Sequence, residues 1–470
     1  MKEILTLSLN EVSWLIKNQK VSPVELVNAC LKQIDEVDSY LLAYIDVLYE
    51  ESIQVAKKME KDIISGNRVS ALHGIPITLK DNINLMGSRT TAGSKILENW
   101  SPKEDATVVS QLKDAGAIIL GKTNLHEFAW GATGENPFYG TVKNPWDHTR
   151  IVAGSSSGSA AAVSAYTCFG SIGTDTGGSI RLPSAVCGLV GMRPTHSRIS
   201  NHGVIPLAPS MDTVGPITRT VKDNALLFEA INCSDKDKNI SIKSNSSKFT
   251  STTNNLESVH IGIIEEYFDN AQNSVMDSMK ETIHILKTLG ATVNYFNLES
   301  INLLKQTKDV IQLSEASRFH KKWIDSRIDD YGEDVKQRLI KGQSFSELQY
   351  LEAKHYSKLI KQEMLEIFKY VDIVLCPTTP FTAPKIGKRQ IELKNEDKKE
   401  ISNLLSYFTS LASVSGLPAL NIPSGFDENN LPIGVQLIGK PYNEVILYHV
   451  GEMFQNATDH HLQKPNISFP

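Results

Sequence analysis

Between Gly74 and Gly215 short apolar runs alternate with helical stretches and are punctuated by Gly, Ser, Thr and Pro. That alternation restricts the chain to an α/β architecture. GIPITL and GAIILG read as strands buried on both faces, being short, apolar and bounded by glycine, while ATVVSQLKDAG between them reads as helix. Further on, VHIGII, a helix over SVMDSMKETIHILKTLG with Val275, Met279, Ile283 and Leu286 on one face, and ATVNYF predict a βαβ unit. Residues from about 302 to 370 read as largely helical. VDIVLCPTTP, LPALNIPSGF and PIGVQLIG return as strands, the last two joined by the turn-rich DENNLP.

This pattern predicts one domain over 1–470, divided into a helical N-terminal part (1–70), a core (71–220), an exposed connection (233–257) and a remainder (258–470). The connection is rich in Ser, Asn, Thr and Lys and has no periodicity. Strands on both sides of it can share a sheet. The expected fold class is therefore α/β, a large mixed, mostly parallel sheet covered on both faces by helices. In the N-terminal part, Ser8 with Glu11 and Ser22 with Glu25 are two capping boxes, and Pro23 stands just inside the second helix.

Several function classes are excluded early. The net charge is −5 and no Lys/Arg-rich run is flanked by aromatics, so no direct nucleic-acid partner is expected. No run of about 18 apolar residues occurs, so neither is a membrane span. The opening MKEILTLSLNEVSW has too short an apolar run for a signal peptide. The five cysteines (Cys30, Cys168, Cys187, Cys233, Cys376) are odd in number and never spaced C-x-x-C. They fit free thiols of a reducing compartment, which makes the cytoplasm the expected location and the N-x-[ST] matches at Asn239, Asn245 and Asn466 irrelevant. The histidines show no paired ligand spacing. No metal or organic cofactor is called for.

Three motifs compete for the chemistry. Gly116-AIIL-Gly121-Lys122-Thr123 satisfies the P-loop pattern, but a phosphate cradle needs a flexible loop between its glycines, and Ala-Ile-Ile-Leu reads as a strand. Gly154-Ser155-Ser156-Ser157-Gly158 satisfies the G-x-S-x-G elbow with Ser156 as nucleophile, yet the polar NPWDHTRIVA before it is not the apolar strand an elbow requires. The third constellation joins Lys80, the 154–158 segment and Gly173-Thr-Asp-Thr-Gly-Gly-Ser179-Ile-Arg181. A lone lysine is ordinarily solvated and Gly/Ser clusters are ordinarily turns. Here, however, they are embedded in apolar runs such as AAAVSAY and FGSIG, which points to tight packing.

The stretches GIPITLKDN (74–82), AGSSSGSAAA (153–162) and GTDTGGSIRLPS (173–184) resemble the amidase signature family, as do NLHEFAWGATGENPFYGTVKNPWD (124–147) and MDTVGPITRT (211–220). The resemblance is close over roughly 70–220 and weaker beyond. It implies hydrolysis of a linear carboxamide C–N bond to acid plus ammonia or amine, with Ser179 as nucleophile, Ser155, held by a cis peptide bond, as proton relay and Lys80 as base. The chemistry then requires a neutral lysine, lowered from about 10.4 to near 7, a differential interaction of about 4 kcal/mol supplied by burial. Asp81 must point away from it. Backbone amides of Thr176, Gly177, Gly178 and Ser179 are the expected oxyanion donors, and Ser156, Asp175 and Arg181 the expected supports. Ala153 and Ser157 replace glycines usual in the family, and Ser157 is expected to limit a positive-φ conformation.

The alternative within the family is the glutaminase component of an aspartyl/glutamyl-tRNA amidotransferase, its A subunit, working only with partner subunits. That component carries an Asp after the GKP segment and an Arg in the helix before VDIVLCPTTP, where this chain has Asn443 and, by ungapped count, Ser357. Losing both charges favours a stand-alone amidase acting on a small-molecule amide. Oligomeric state stays open, a homodimer being one expectation. Pocket walls are expected from 124–140 and 302–370.

Overall fold

The computed structural model describes residues 2–232, 255–267, 271–393 and 398–467, so the expected connection lies outside the described residues up to position 254. Among the described residues eleven strands form one sheet. In chain order they are β1 (Tyr44–Val47), β2 (Pro76–Lys80), β3 (Ile118–Thr123), β4 (Ser171–Asp175), β5 (Val190–Arg193), β6 (Thr213–Thr218), β7 (His260–Ile264), β8 (Thr292–Phe296), β9 (Ile373–Pro377), β10 (Ala419–Phe426) and β11 (Pro432–Gly439). Their spatial order is β1-β3-β2-β4-β6-β5-β10-β11-β9-β7-β8. Parallel pairing joins β3, β2 and β4 towards one end and β9, β7 and β8 at the other, and antiparallel pairing fills the middle. The sheet therefore carries strands from both sides of the 233–257 connection.

Both faces of this sheet are covered, as an α/β sheet requires. In β9 successive side chains enter different cores: Ile373 and Leu375 pack with Leu420 and Leu437, whereas Val374 and Cys376 pack with Ile438 and Phe408. That is the two-residue period of a strand with no solvent side.

After a single helical turn at Lys2–Leu5, the N-terminal part runs through α1 (Leu9–Lys17) and α2 (Pro23–Leu41), each opened by a complete capping box, Ser8 with Glu11 and Ser22 with Glu25. It is not helical throughout. Tyr44–Val47 pairs antiparallel with Gly121–Thr123 as β1, because a short β-rich run beside an unpaired sheet edge gains more from the ladder than from a helix. The chemistry-bearing segment contributes α3 (Ser157–Ser164) and α4 (Arg181–Val186). The predicted βαβ unit forms as β7, α5 (Asn273–Thr288) and β8, with Thr292 opposite His260 and Phe296 opposite Ile264 in parallel register. The helical stretch resolves into α6 (Leu304–Arg327), α7 (Glu333–Gln343) and α8 (Glu347–Ile367). Among the described residues no helix is long and apolar enough to cross a membrane.

Candidate active site

The site is built at the C-terminal ends of β2 and β4. Along β2, Ile77 and Leu79 enter the apolar core, so Thr78 and Lys80 project from the other face. The parallel register with β4, Thr78 opposite Ser171 and Leu79 opposite Ile172, then carries Lys80 alongside Thr174. Lys80 is fully buried. Its Nζ donates to Ser155 Oγ at 2.7 Å and to Thr174 Oγ1 at 2.8 Å. Burial lowers the ammonium pKa to about 7, against Asp175 and Asp212, which act in the opposite direction.

The next residue turns away. Asp81 accepts from Lys122 Nζ at 2.6 Å and from the Thr91 amide at 2.9 Å. Lys122, the lysine of the P-loop match, is thus a buried ion-pair partner inside β3 with no phosphate cradle around it.

Ser155 precedes α3, and the Gly154–Ser155 peptide is cis. α3 runs very close to neighbouring backbone, as its small residues suggest: a Cβ on Gly158 would stand 2.3 Å from Ala43 O and 2.5 Å from Asn124 N. No side chain fits there. Ser156 does not act as an elbow. Its hydroxyl donates to Thr174 O at 3.2 Å and its amide to Ser179 O at 3.2 Å, tying the two serine segments together. A strand does precede the segment, Asp147–Ile151, but it is polar and belongs to a separate two-stranded ribbon with Lys143–Asn144. The expected positive φ falls at Ala153 (φ +58°), whereas Ser157 is the first residue of α3, so the backbone constraint lies at the former position.

Ser179 lies on the turn from β4 to α4 and lines a cavity of about 180 Å³. The turn is braced by Asp175, whose carboxylate accepts from the amides of Gly178 (3.0 Å) and Ile180 (3.2 Å), from Arg181 Nε (3.0 Å) and from Arg193 Nη1 (2.9 Å). Burial alone would raise the Asp175 pKa, but the two guanidinium groups outweigh it and hold the carboxyl well below the usual range. Arg181 reaches on to Thr409 O, Gln436 Oε1 and Ser413 Oγ. Gly178 has φ +129°, and a Cβ there would meet Thr409 Oγ1 at 2.4 Å. One of the four expected oxyanion donors is therefore already engaged, since the Gly178 amide points at Asp175. Thr176 holds Asp212 through its hydroxyl at 2.6 Å. Among the described residues no protein acceptor is found for the amides of Thr176, Gly177 and Ser179, and of these three residues Gly177 and Ser179 line the cavity.

Three contributors were not singled out in the sequence. Thr174 fixes Lys80 and also accepts from Asn82 Nδ2 at 3.2 Å; it stands inside the GTDTGGS motif, and its strand parity was the available signal. Arg193 shares Asp175 from a distant strand with no local pattern to mark it. The segment around 402–406 joins the cavity wall, beside Ala129–Ala132 and residues of α6 and α7 that fall in the two expected stretches.

A buried amine near neutrality, bonded to one serine whose neighbour is tied to a second serine at a cavity, is equipped for nucleophilic attack on a carbonyl. The model of the family described as Amidase matches residues 25–447. The chain belongs to the amidase family. Within it, the chain is 35% identical to the A subunit of glutamyl-tRNA(Gln) amidotransferase from Trichodesmium erythraeum (strain IMS101), over 98% of this chain and all of the relative. It is 36% identical to the counterpart from Geobacter sp. (strain M21), over 98% and 99%. Among solved amidase-family structures, one described as an amidase superposes with a TM-score of 0.88 at 28% identity, covering 96% of this chain and 99% of the other. The A subunit of glutamyl-tRNA(Gln) amidotransferase from Thermotoga maritima gives 0.81 at 32% identity and 98% of each. The peptide amidase of Stenotrophomonas maltophilia gives 0.85 at 26% identity, covering 98% and 99%.

Proposed function

We propose that this amidase-family enzyme cleaves a carboxamide through an acyl-enzyme on Ser179. Lys80, neutral in its buried setting, takes the Ser155 proton as Ser155 takes that of Ser179, and the Ser179 oxygen adds to the amide carbon. The amides of Gly177 and Ser179 face the developing oxyanion, where such a donor contributes about 2.7–4 kcal/mol. The tetrahedral adduct collapses as the proton returns along the same chain to the leaving nitrogen, and water then releases the acid. The single observation that carries this reading is the 2.7 Å contact between Lys80 Nζ and Ser155 Oγ in a place without solvent.

Two settings fit that chemistry. The comparisons support the glutaminase component of a tRNA-dependent amidotransferase better than a stand-alone amidase, because relatives named as its A subunit match from end to end at 34–36% identity. This reverses the preference drawn from Asn443 and Ser357. Neither residue lines the Ser179 cavity; Ser357 Oγ donates to Val414 O at 2.7 Å and Asn443 precedes the helix Glu444–Ala457. Their lack of charge therefore says little about glutamine. The likeness to amidase and peptide amidase structures keeps the stand-alone reading as the second.

The deciding assay offers glutamine and a panel of aliphatic and aryl amides to the purified chain, alone and with the partner subunits of an amidotransferase. Glutamine turnover that appears or rises with the partners supports the amidotransferase reading. Turnover of panel amides by the isolated chain, with glutamine untouched, supports the stand-alone enzyme.

A further inference from the structure

The cavity beside Ser179 carries an unusual charge. Lys308 and Gln312 of α6 lean directly onto the nucleophile turn: a Cβ built on Gly177 would stand 3.0 Å from Gln312 Nε2 and 3.8 Å from Lys308 Cδ. Lys308 is only 7% exposed. Its Nζ donates to the hydroxyl of Ser406 at 2.7 Å, and the Asp309 carboxylate stands 3.9 Å away. That carboxylate is already shared, with Lys305 Nζ at 2.6 Å. An ammonium withdrawn from water whose close partner is a neutral hydroxyl is poorly compensated. Arg338 of α7 lines the same cavity; its guanidinium donates to Trp130 O and stands 3.6 Å from Asp334, which His126 also holds. Lys341 adds a third cation to the lining, against Asp309 as its carboxylate. Field lines in such a cleft attract an anion.

We propose that Lys308, supported by Arg338, is a specificity-determining residue that receives a carboxylate on the acyl side of the amide, so that the preferred substrate is the half-amide of a short dicarboxylic acid or an amino-acid relative of one. The volume, about 180 Å³, is below the about 300–1,000 Å³ of drug-sized pockets and suits such a compact acyl group. Asp309 beside Lys308 leaves room in the same scheme for an α-ammonium group. The proposal rests on Ser179 being the acylated residue, and glutamine, the amide of the amidotransferase setting, falls within the same substrate class. The plainer role for Lys308 is structural, a tie from α6 to Ser406, and the experiment separates the two.

Wild type and Lys308→Met are compared on glutaramate and succinamate against the uncharged amides valeramide and butyramide. Wild type prefers the half-amides, and the variant lowers the half-amide to neutral-amide ratio of kcat/KM by at least about 30-fold, expressed mainly in KM. Ser406→Ala, which cuts the tie and keeps the ammonium, retains that preference, whereas a purely structural role for Lys308 would make it fall as in Lys308→Met. A wild-type ratio near one, or an unchanged ratio in Lys308→Met, overturns the proposal. Failure of the acyl-enzyme reading shows separately, as a Ser179 that takes no fluorophosphonate label. In that event calorimetry still decides: glutarate binding to wild type and not to Lys308→Met supports the subsite, and no glutarate binding to wild type removes it.

Discussion

Asp81 and Lys122 close on each other at 2.6 Å, both sealed from solvent, on the side of the β2 end opposite to the one Lys80 faces. The pair gives the carboxylate that follows Lys80 in sequence a cation of its own, so that Lys80 is not the nearest partner for it. Lys122→Met removes that cation. The expected outcome is a loss of about 3–5 kcal/mol in stability, the cost of stranding a buried charge, with partial recovery in Asp81→Asn/Lys122→Met. Where the single variant folds, the acid limb of its kcat/KM profile moves up by about one pH unit, because an uncompensated carboxylate favours the protonated lysine. Chemical denaturation and a pH series measure both; an unshifted limb denies the pair this role.

Rate should follow the protonation of Lys80. Only the neutral amine accepts a proton, so kcat/KM rises with pH and levels off above a midpoint near 7, the value to which burial brings this lysine. A profile flat from pH 5 to 9 on a substrate with no titrating group would point to a different base.

Lys80 should also be costly to the fold. Its pKa drops from 10.5 in the open chain to about 7 in the folded one. The unfolded state then binds more protons between those values, and wild-type stability rises with pH across that window. Lys80→Met abolishes this slope, so its stability relative to wild type is about 4 kcal/mol greater at pH 6 than at pH 10. Parallel melts at the two pH values test it; equal differences would mean that the lysine is not desolvated.

Ser179→Ala should lower turnover by more than about 10⁴-fold while leaving the melting temperature within a degree or two, since its side chain lines the cavity and holds no part of the turn. Residual turnover within tenfold of wild type would reassign the nucleophile.

Ala153 sits at φ +58°, a conformation that costs an L-residue about 1–2 kcal/mol and glycine almost nothing. Ala153→Gly should therefore stabilise the protein by about 1 kcal/mol net of the added chain entropy. A lower melting temperature would mean that the alanine methyl contributes packing that outweighs the strain.

The strands and helices were legible where the period was clean. The βαβ unit around α5, both capping boxes and the buried character of β2 and β3 follow from local residue order, because the physics that forms them is local. The meeting of Lys80 with Ser155, and the place of Ser179 at the cavity, were to be expected from the resemblance, since each is set in a dense motif. What stayed hidden depends on which distant segment meets which. Arg193 shares Asp175 only because β5 and β4 both flank β6, and Lys308 reaches the cavity only because α6 folds across the Ser179 turn. β1 was missed for the same reason: its partner edge on β3 is some seventy-five residues on, and nothing within LLAYIDVLY announces it.

The reach of Arg181 to Thr409, Ser413 and Gln436 has a temporal meaning. A nascent chain that has emerged as far as residue 400 already holds Lys80, Ser155, Ser179 and the Asp175 brace, yet its Arg181 guanidinium lacks these three further acceptors. The Arg181 side of the Ser179 turn is therefore completed only by a much later part of the chain.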